Sequence, residues 1–157
     1  MPYLIDGHNL IAQMPGMTLG AVDDEAQLIG LLRTYCERTR SRATVYFDRG
    51  HPRAESPPAG GRVTARFVPS PRSADQAIIR HLERLGGDAR NWTVVSSDRE
   101  IQQAAARAGA RRVASREFAA RIRQRLARPE TEKPEATLSK EDVAYWEKRF
   151  RRGRRRP

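Results

Sequence analysis

Three short apolar runs each lead into an aspartate. Residues 3–5 end at Asp6, residues 43–47 end at Asp48, and residues 92–96 run into Ser97-Asp98. A fourth acid, Asp75, follows Ser73-Ala74 at the head of an amphipathic stretch. If the runs are parallel strands, their carboxyl ends share one edge of a sheet, where open α/β sheets bind ligands. Asp75 and Asp98 are also expected in the first turns of capped helices, where the helix dipole favours an acid. Carboxylates gathered there repel one another and call for a cation. Oxygen donors without His or Cys suit Mg²⁺ or Mn²⁺. Such a centre supports metal-assisted hydrolysis of a phosphodiester, because the cation lowers the pKa of the attacking water and stabilises the transition-state charge. Plainer readings stand beside this one. An Asp at a helix start stabilises the helix, and Asp48 can be a loop-entry residue. Asn9, three residues after Asp6, either orients that carboxylate or forms an Asx turn.

The charge balance points to an acidic partner. The 157 residues carry 30 Lys and Arg against 19 Asp and Glu, a formal net charge of +11. Seven of the bases are Lys148, Arg149, Arg151, Arg152, Arg154, Arg155 and Arg156, in a stretch without an acid. The remainder is only mildly basic. A basic tail fits a polyphosphate, since each phosphate contact releases counterions. All but three of the bases are arginine, which grips phosphate bidentately or simply follows genomic base composition. Arg49, Arg53, Arg62 and Arg66 flank Asp48 and its loop, as a phosphate track or as solvated surface. Ser96 and Ser97 suit a phosphate at a helix N-terminus, although Ser97 reads first as a cap.

The other reactive residue types are sparse. Cys36, the only cysteine, excludes an internal disulfide and a multi-cysteine metal site and reads as core packing. His8 reads as packing beside the site, His51 lies in a Gly/Pro-rich loop, and His81 reads as surface. No run approaches the roughly 20 apolar residues of a membrane span. No secretory leader is recognisable. The expectation is a cytoplasmic protein without a membrane partner; nothing speaks to oligomeric state.

The elements that would position the acids alternate. Residues 24–38 repeat Leu28, Leu31, Leu32 and Tyr35 at helical spacing. Residues 49–62 form a loop, and residues 63–68 alternate as a strand before Pro69 and Pro71. Ser73 with Gln76 is a capping box, and Ser97 with Glu100 reads as a second. The first opens a helix with Ile78, Ile79, Leu82 and Leu85 on its buried side, stopped by Gly86-Gly87. The second opens a helix stopped at Gly109. Residues 112–114 are a last short strand, and Ser115 starts a helix through Leu126. Strands alternating with helices imply a parallel sheet covered on both faces. This places a domain at 1–128 and a linker at 129–138. Residues 139–157 then form an amphipathic helix, with Val143, Trp146 and Phe150 on one side, and the Arg-rich tail.

Tyr3-Leu4-Ile5-Asp6-Gly7-His8-Asn9 resembles the opening motif of NYN-domain nucleases, in particular the YacP-like family. Val45-Tyr46-Phe47-Asp48, Ser73-Ala74-Asp75-Gln76, Val94-Val95-Ser96-Ser97-Asp98 and Ser115-Arg116-Glu117-Phe118 are similar to its later motifs, in order. Trp146-Glu147-Lys148-Arg149 resembles its C-terminal helix. The resemblance implies a PIN-like three-layer α/β sandwich with a central, mostly parallel sheet. It also implies a Mg²⁺- or Mn²⁺-dependent endoribonuclease acting on messenger RNA at the ribosome, with ribosomal RNA as a further contact. By that pattern Asp6, Asp75 and Asp98 are metal ligands, Asp48 is a fourth acid, and Asn9 orients the ligands or the scissile phosphate. His8 stands where the family usually has Tyr, and Gln76 where several relatives carry an acid. Two rival readings are a non-catalytic RNA-binding module and a DNA-directed 5′-nuclease-like enzyme.

Overall fold

The computed structural model describes residues 2–20, 23–48 and 61–128. Its strands are β1 (Pro2–Asp6), β2 (Arg42–Asp48), β3 (Val63–Val68), β4 (Thr93–Val95) and β5 (Arg111–Val113). The helices are α1 (Gly7–Ile11), α2 (Asp24–Thr39), α3 (Ala74–Leu85), α4 (Arg99–Ala108) and α5 (Ser115–Ala127). The strands form one sheet in the order β3-β2-β1-β4-β5. Every neighbouring pair is parallel, so the expected mostly parallel sheet is wholly parallel over the described residues.

Side chains alternate across the sheet, as strand geometry requires. Ile5, Val45, Phe47 and Val95 join a core with Leu28, Leu32 and Cys36 of α2 and Phe118 and Ile122 of α5. Leu4, Tyr46 and Val94 face the other way, onto Ala74, Ile78 and Leu82 of α3 and Ile101 and Ala105 of α4. The result is a helix–sheet–helix sandwich. Near-continuous apolar strands are the signature of a sheet buried on both faces.

The starts and stops follow local chemistry, with three departures from the sequence reading. The α3 capping box is present: the Gln76 N–H donates to Ser73 Oγ, and the Ser73 N–H donates to Gln76 Oε1. Beyond Gly86 the chain does not simply stop but winds through a short 3-10 helix to Asn91. The cap of α4 is Asp98 rather than Ser97, because Asp98 Oδ1 accepts the N–H groups of both Glu100 and Ile101. Gly109 closes α4 in the left-handed region at φ 84°, which glycine enters without steric cost. The third departure is α1, a short helix that the sequence reading did not place after Asp6. Its first residue, Gly7, lies so close to Phe47 that a Cβ there would overlap the ring.

The chain divides into a unit Met1–Leu126 and a unit Ala127–Pro157. Several expectations lie outside the described residues: His51, Arg49, Arg53 and their loop, the 129–138 linker, the amphipathic helix, and Lys148 to Arg156. No helix among the described residues is long and apolar enough to cross a membrane.

Candidate active site

The strand order reverses between β1 and β4. The chain leaves β1 toward β2 on one side, while β4 pairs with β1 on the other. Crevices at the carboxyl ends of such strands are the ligand sites of open α/β sheets. Asp6 is the last residue of β1 and the N-cap residue of α1. Across the crevice, Ser96 Oγ donates to Asp6 Oδ2 at 3.3 Å and accepts the Asp98 N–H at 3.0 Å. Ser96 is fully buried, so its hydroxyl links two carboxylate-bearing residues instead of offering itself to a phosphate.

The other acids arrive by separate routes. Asp48, at the end of β2, accepts the Ala74 N–H on Oδ1 at 2.6 Å. That bond pins the start of α3 to the carboxyl edge of the sheet, and Asp75 follows in the first turn of α3. Asp98 spends Oδ1 on the start of α4. In both Asp48 and Asp98 the second carboxylate oxygen has no hydrogen bond among the described residues. Asp75 is half-buried, and among the described residues its carboxylate has no hydrogen-bond or ion-pair partner.

Electrostatics show which acids feel one another. Burial pushes the Asp6 carboxyl up to about 6, and the nearby charges of Asp48 and Asp98 push the same way. The Asn9 backbone N–H and the Ser96 hydroxyl act in the opposite sense. Asp6 therefore lies within electrostatic reach of both Asp48 and Asp98. Asp75 shares their edge of the sheet but does not appear among the charges that shift Asp6. Neither the His8–Glu25 pair nor the Arg121–Glu117 pair engages these acids. Among the described residues, no three His, Cys, Asp or Glu side chains stand close enough to cage a cation. The fit to a hard divalent cation rests instead on donor type and charge. The donors are all carboxylate oxygens, Asp48 and Asp98 raise the charging cost of Asp6, and no ion pair among the described residues neutralises them.

Asn9 meets Asp6 through its backbone N–H, while its side chain turns to other partners. It lies inside α1, and its Oδ1 accepts the Ser97 N–H at 2.9 Å and the Ser115 hydroxyl. Ser97 Oγ in turn accepts the Ser115 N–H at 3.1 Å. Asn9 thus ties α1 to the β4–α4 turn and to the start of α5. Sequence reasoning missed Ser115, which it read only as a helix start, and Gln102, whose side chain donates to the Ser96 carbonyl at 2.9 Å. Both partners are distant in the chain or one turn into a helix, so no local motif marks them. Ser97 is exposed and stands beside the acids.

The remaining residues sort by position. His8 packs beside the site as expected, its Nε2 2.7 Å from Glu25 Oε2 and its ring 5.3 Å from that of Phe47. His81 is not a surface residue: it is half-buried, its Nδ1 lies 2.9 Å from the Tyr46 hydroxyl, and its ring meets Trp92 at 5.1 Å. Arg62 does not flank Asp48. The parallel register sets Val63 against Ala43 and Val68 against Asp48, so Arg62 lies at the opposite edge of the sheet. Arg66 is on β3, two residues below Asp48 and, through Tyr46, in register with Asp6.

Comparison with known proteins agrees with this architecture. Residues 3–152 match the sequence profile described as the YacP-like NYN domain. The fold is similar to the crystal structure of Rae1 (YacP) from Bacillus subtilis. The TM-score is 0.71 and the identity 27%, over 98% of this chain and 95% of that one. The W164L mutant of the same Bacillus subtilis protein matches with a TM-score of 0.67 and 26% identity, over 80% of this chain and 76% of that one. No curated protein sequence gave a significant match.

Proposed function

This chain belongs to the YacP-like NYN domain family, and from that premise we propose that it is a divalent-cation-dependent endoribonuclease acting on messenger RNA at the ribosome. The family's PIN-like nuclease fold implies ribonuclease activity. The observation that carries the finer reading is the gathering of Asp6, Asp48 and Asp98 at the carboxyl ends of the strands, where burial and the other two charges raise Asp6 to about 6. A protein seldom collects acids where they destabilise one another unless a ligand uses them.

Asp6, Asp98 and Asp75 would hold Mg²⁺ or Mn²⁺ partly through the waters such a cation retains, since no three acids among the described residues stand close enough to cage it directly, with Asp48 as a fourth acid beside them. When bound, the cation supplies Lewis-acid stabilisation of the phosphoryl oxygens and makes water a better nucleophile. The chain's own residues do the positioning. Ser96 fixes the direction of the Asp6 carboxylate through Oδ2. Backbone N–H groups at the starts of α3 and α4 fix Asp48 and Asp98 through Oδ1. Asn9 holds the floor of the crevice together through Ser97 and Ser115. The basic tail at 148–156 and the arginines Arg49 and Arg53 would contact RNA phosphates, including ribosomal RNA.

The test is the chemistry of the cut ends in messenger RNA incubated with the chain and Mg²⁺ or Mn²⁺ on translating ribosomes. Attack by water leaves a linear phosphate, whereas attack by the RNA's own 2′-hydroxyl leaves a cyclic one. Linear ends, lost with a chelator, are expected. Cyclic ends, or cuts that survive the chelator, would refute the cation-assisted reading. Equal cutting of free RNA would remove the ribosome from it.

A further inference from the structure

A second charged feature lies outside the acid group. A groove of about 670 Å³ runs between the edge strand β3 and α3, lined by Arg66, Arg72, Arg80 and Arg84. All four arginines are exposed. Among the described residues, none of their guanidinium groups has a hydrogen bond or ion pair. Their placement follows from the fold. Ala74, Ile78 and Leu82 bury one side of α3, which leaves Gln76, Arg80 and Arg84, spaced four apart, as a row on another. Arg66 pairs in register with Tyr46, whose side chain faces α3. Because β3 is the outermost strand among the described residues, Arg66 lies beside the helix and not beneath it.

The groove leads to the acids. Gln76 adjoins Asp75 in the first turn of α3, and Glu100, two residues after Asp98, also lines the groove. The row from Gln76 to Arg84 spans about 12 Å at about 1.5 Å per residue. That is the length of three or four stacked nucleotides at about 3.4 Å each. Two acids, Glu83 and Glu100, line the same groove, so arginine outnumbers acid two to one. The field of the arginines reaches inward, since Arg84 and Arg66 both act against protonation of His81, after the larger effect of its burial.

We propose that this groove is a track for the phosphate backbone of single-stranded RNA, which Arg72, Arg80, Arg84 and Arg66 hold as it enters or leaves the carboxylate site. The proposal rests on the ribonuclease reading and adds where the strand lies. Unpaired guanidinium groups in a row suit a phosphate chain, because arginine binds phosphate bidentately and single-strand grooves combine basic walls with sequence tolerance.

The test is equilibrium binding of an unstructured RNA 12-mer to the full chain in a chelator, over a range of salt concentrations. The variant R80Q/R84Q removes two exposed charges from the track; R107Q/R123Q removes two exposed charges from α4 and α5. The track variant should bind about tenfold more weakly at 0.1 M salt, with a salt slope shallower by about 1.4, at about 0.7 per phosphate contact. The control variant should keep the wild-type slope. An unchanged slope in R80Q/R84Q, an equal loss in the control, or no binding by the wild type would overturn the track. Cleavage of messenger RNA that still depends on Asp6 would in any of those cases leave the ribonuclease reading intact.

Discussion

Burial gives the Asp6 carboxylate an electrostatic cost, and that cost has a sign that can be measured. Its carboxyl rises from 3.8 to about 6 on folding, so the folded chain binds this proton more tightly than the unfolded chain does. The stability linked to it is fully present below about pH 4 and is lost as pH rises through about 6. At pH 7 the loss reaches up to about 3 kcal/mol, at 1.36 kcal/mol per unit. Asp6→Asn should therefore stabilise the cation-free chain at pH 7 by up to that amount and change little at pH 4. Denaturant unfolding in a chelator at the two pH values checks this; an Asn variant less stable at pH 7 would contradict it. Divalent cation should raise the melting temperature of the wild type and leave that of Asp6→Asn nearly unchanged, because binding stabilises only the chain that holds the ligand. Equal shifts would place the cation elsewhere. At this scale the sequence was informative about residue type and weak about partners. Asp6, Asp48 and Asp98 stood out because each follows an apolar run. The role of Asn9 did not, because Ser97 and Ser115 lie 88 and 106 positions away.

At the scale of elements, the longer helices and the strands were legible because their apolar residues repeat at 3.6 or 2. A five-residue helix such as α1 is too short to show a period, and Asp6-Gly7 reads equally well as a turn. The exchange of cap between Ser97 and Asp98 has a similar cause. Both residues are good caps, and the choice depends on Ser97 being drawn to Asn9 and Ser115. The position of α1 depends on Gly7, whose missing side chain lets the helix start lie on the buried Phe47 ring. Gly7→Ala should displace Phe47 or α1 and destabilise by about 1–3 kcal/mol, the usual cost of overpacking a core. It should also impair RNA cleavage, because α1 carries Asn9 and begins at Asp6. Chemical unfolding and a cleavage assay on the same variant check both. Wild-type stability with full activity would show that α1 does not depend on this close approach.

At the scale of the whole molecule, alternation of strands and helices was enough to indicate a parallel sheet, and the acids after the apolar runs were enough to place them at its carboxyl edge. The pairing order was not legible, since nothing local tells β4 to pair with β1 instead of β3. That order is what puts Ser96 beside Asp6. The parallel register of β2 with β3 separately sets Arg62 at the far end of the strands from Asp48 and Arg66 two residues below it. Charge is the other whole-molecule property. Seven of the eleven units of net charge reside in residues 148–156, so deleting 148–157 should weaken RNA or ribosome binding and flatten its salt dependence while leaving the cation-induced rise in melting temperature. An unchanged salt slope in the truncated chain would contradict a binding role for the tail. The central claim is that the carboxylates at the switch point cut RNA, and the most direct test is messenger RNA cleavage in a translating extract with wild type or Asp6→Asn added. Cuts with the wild type that disappear with Asp6→Asn are expected; equal cutting by the two proteins would refute a role for these carboxylates.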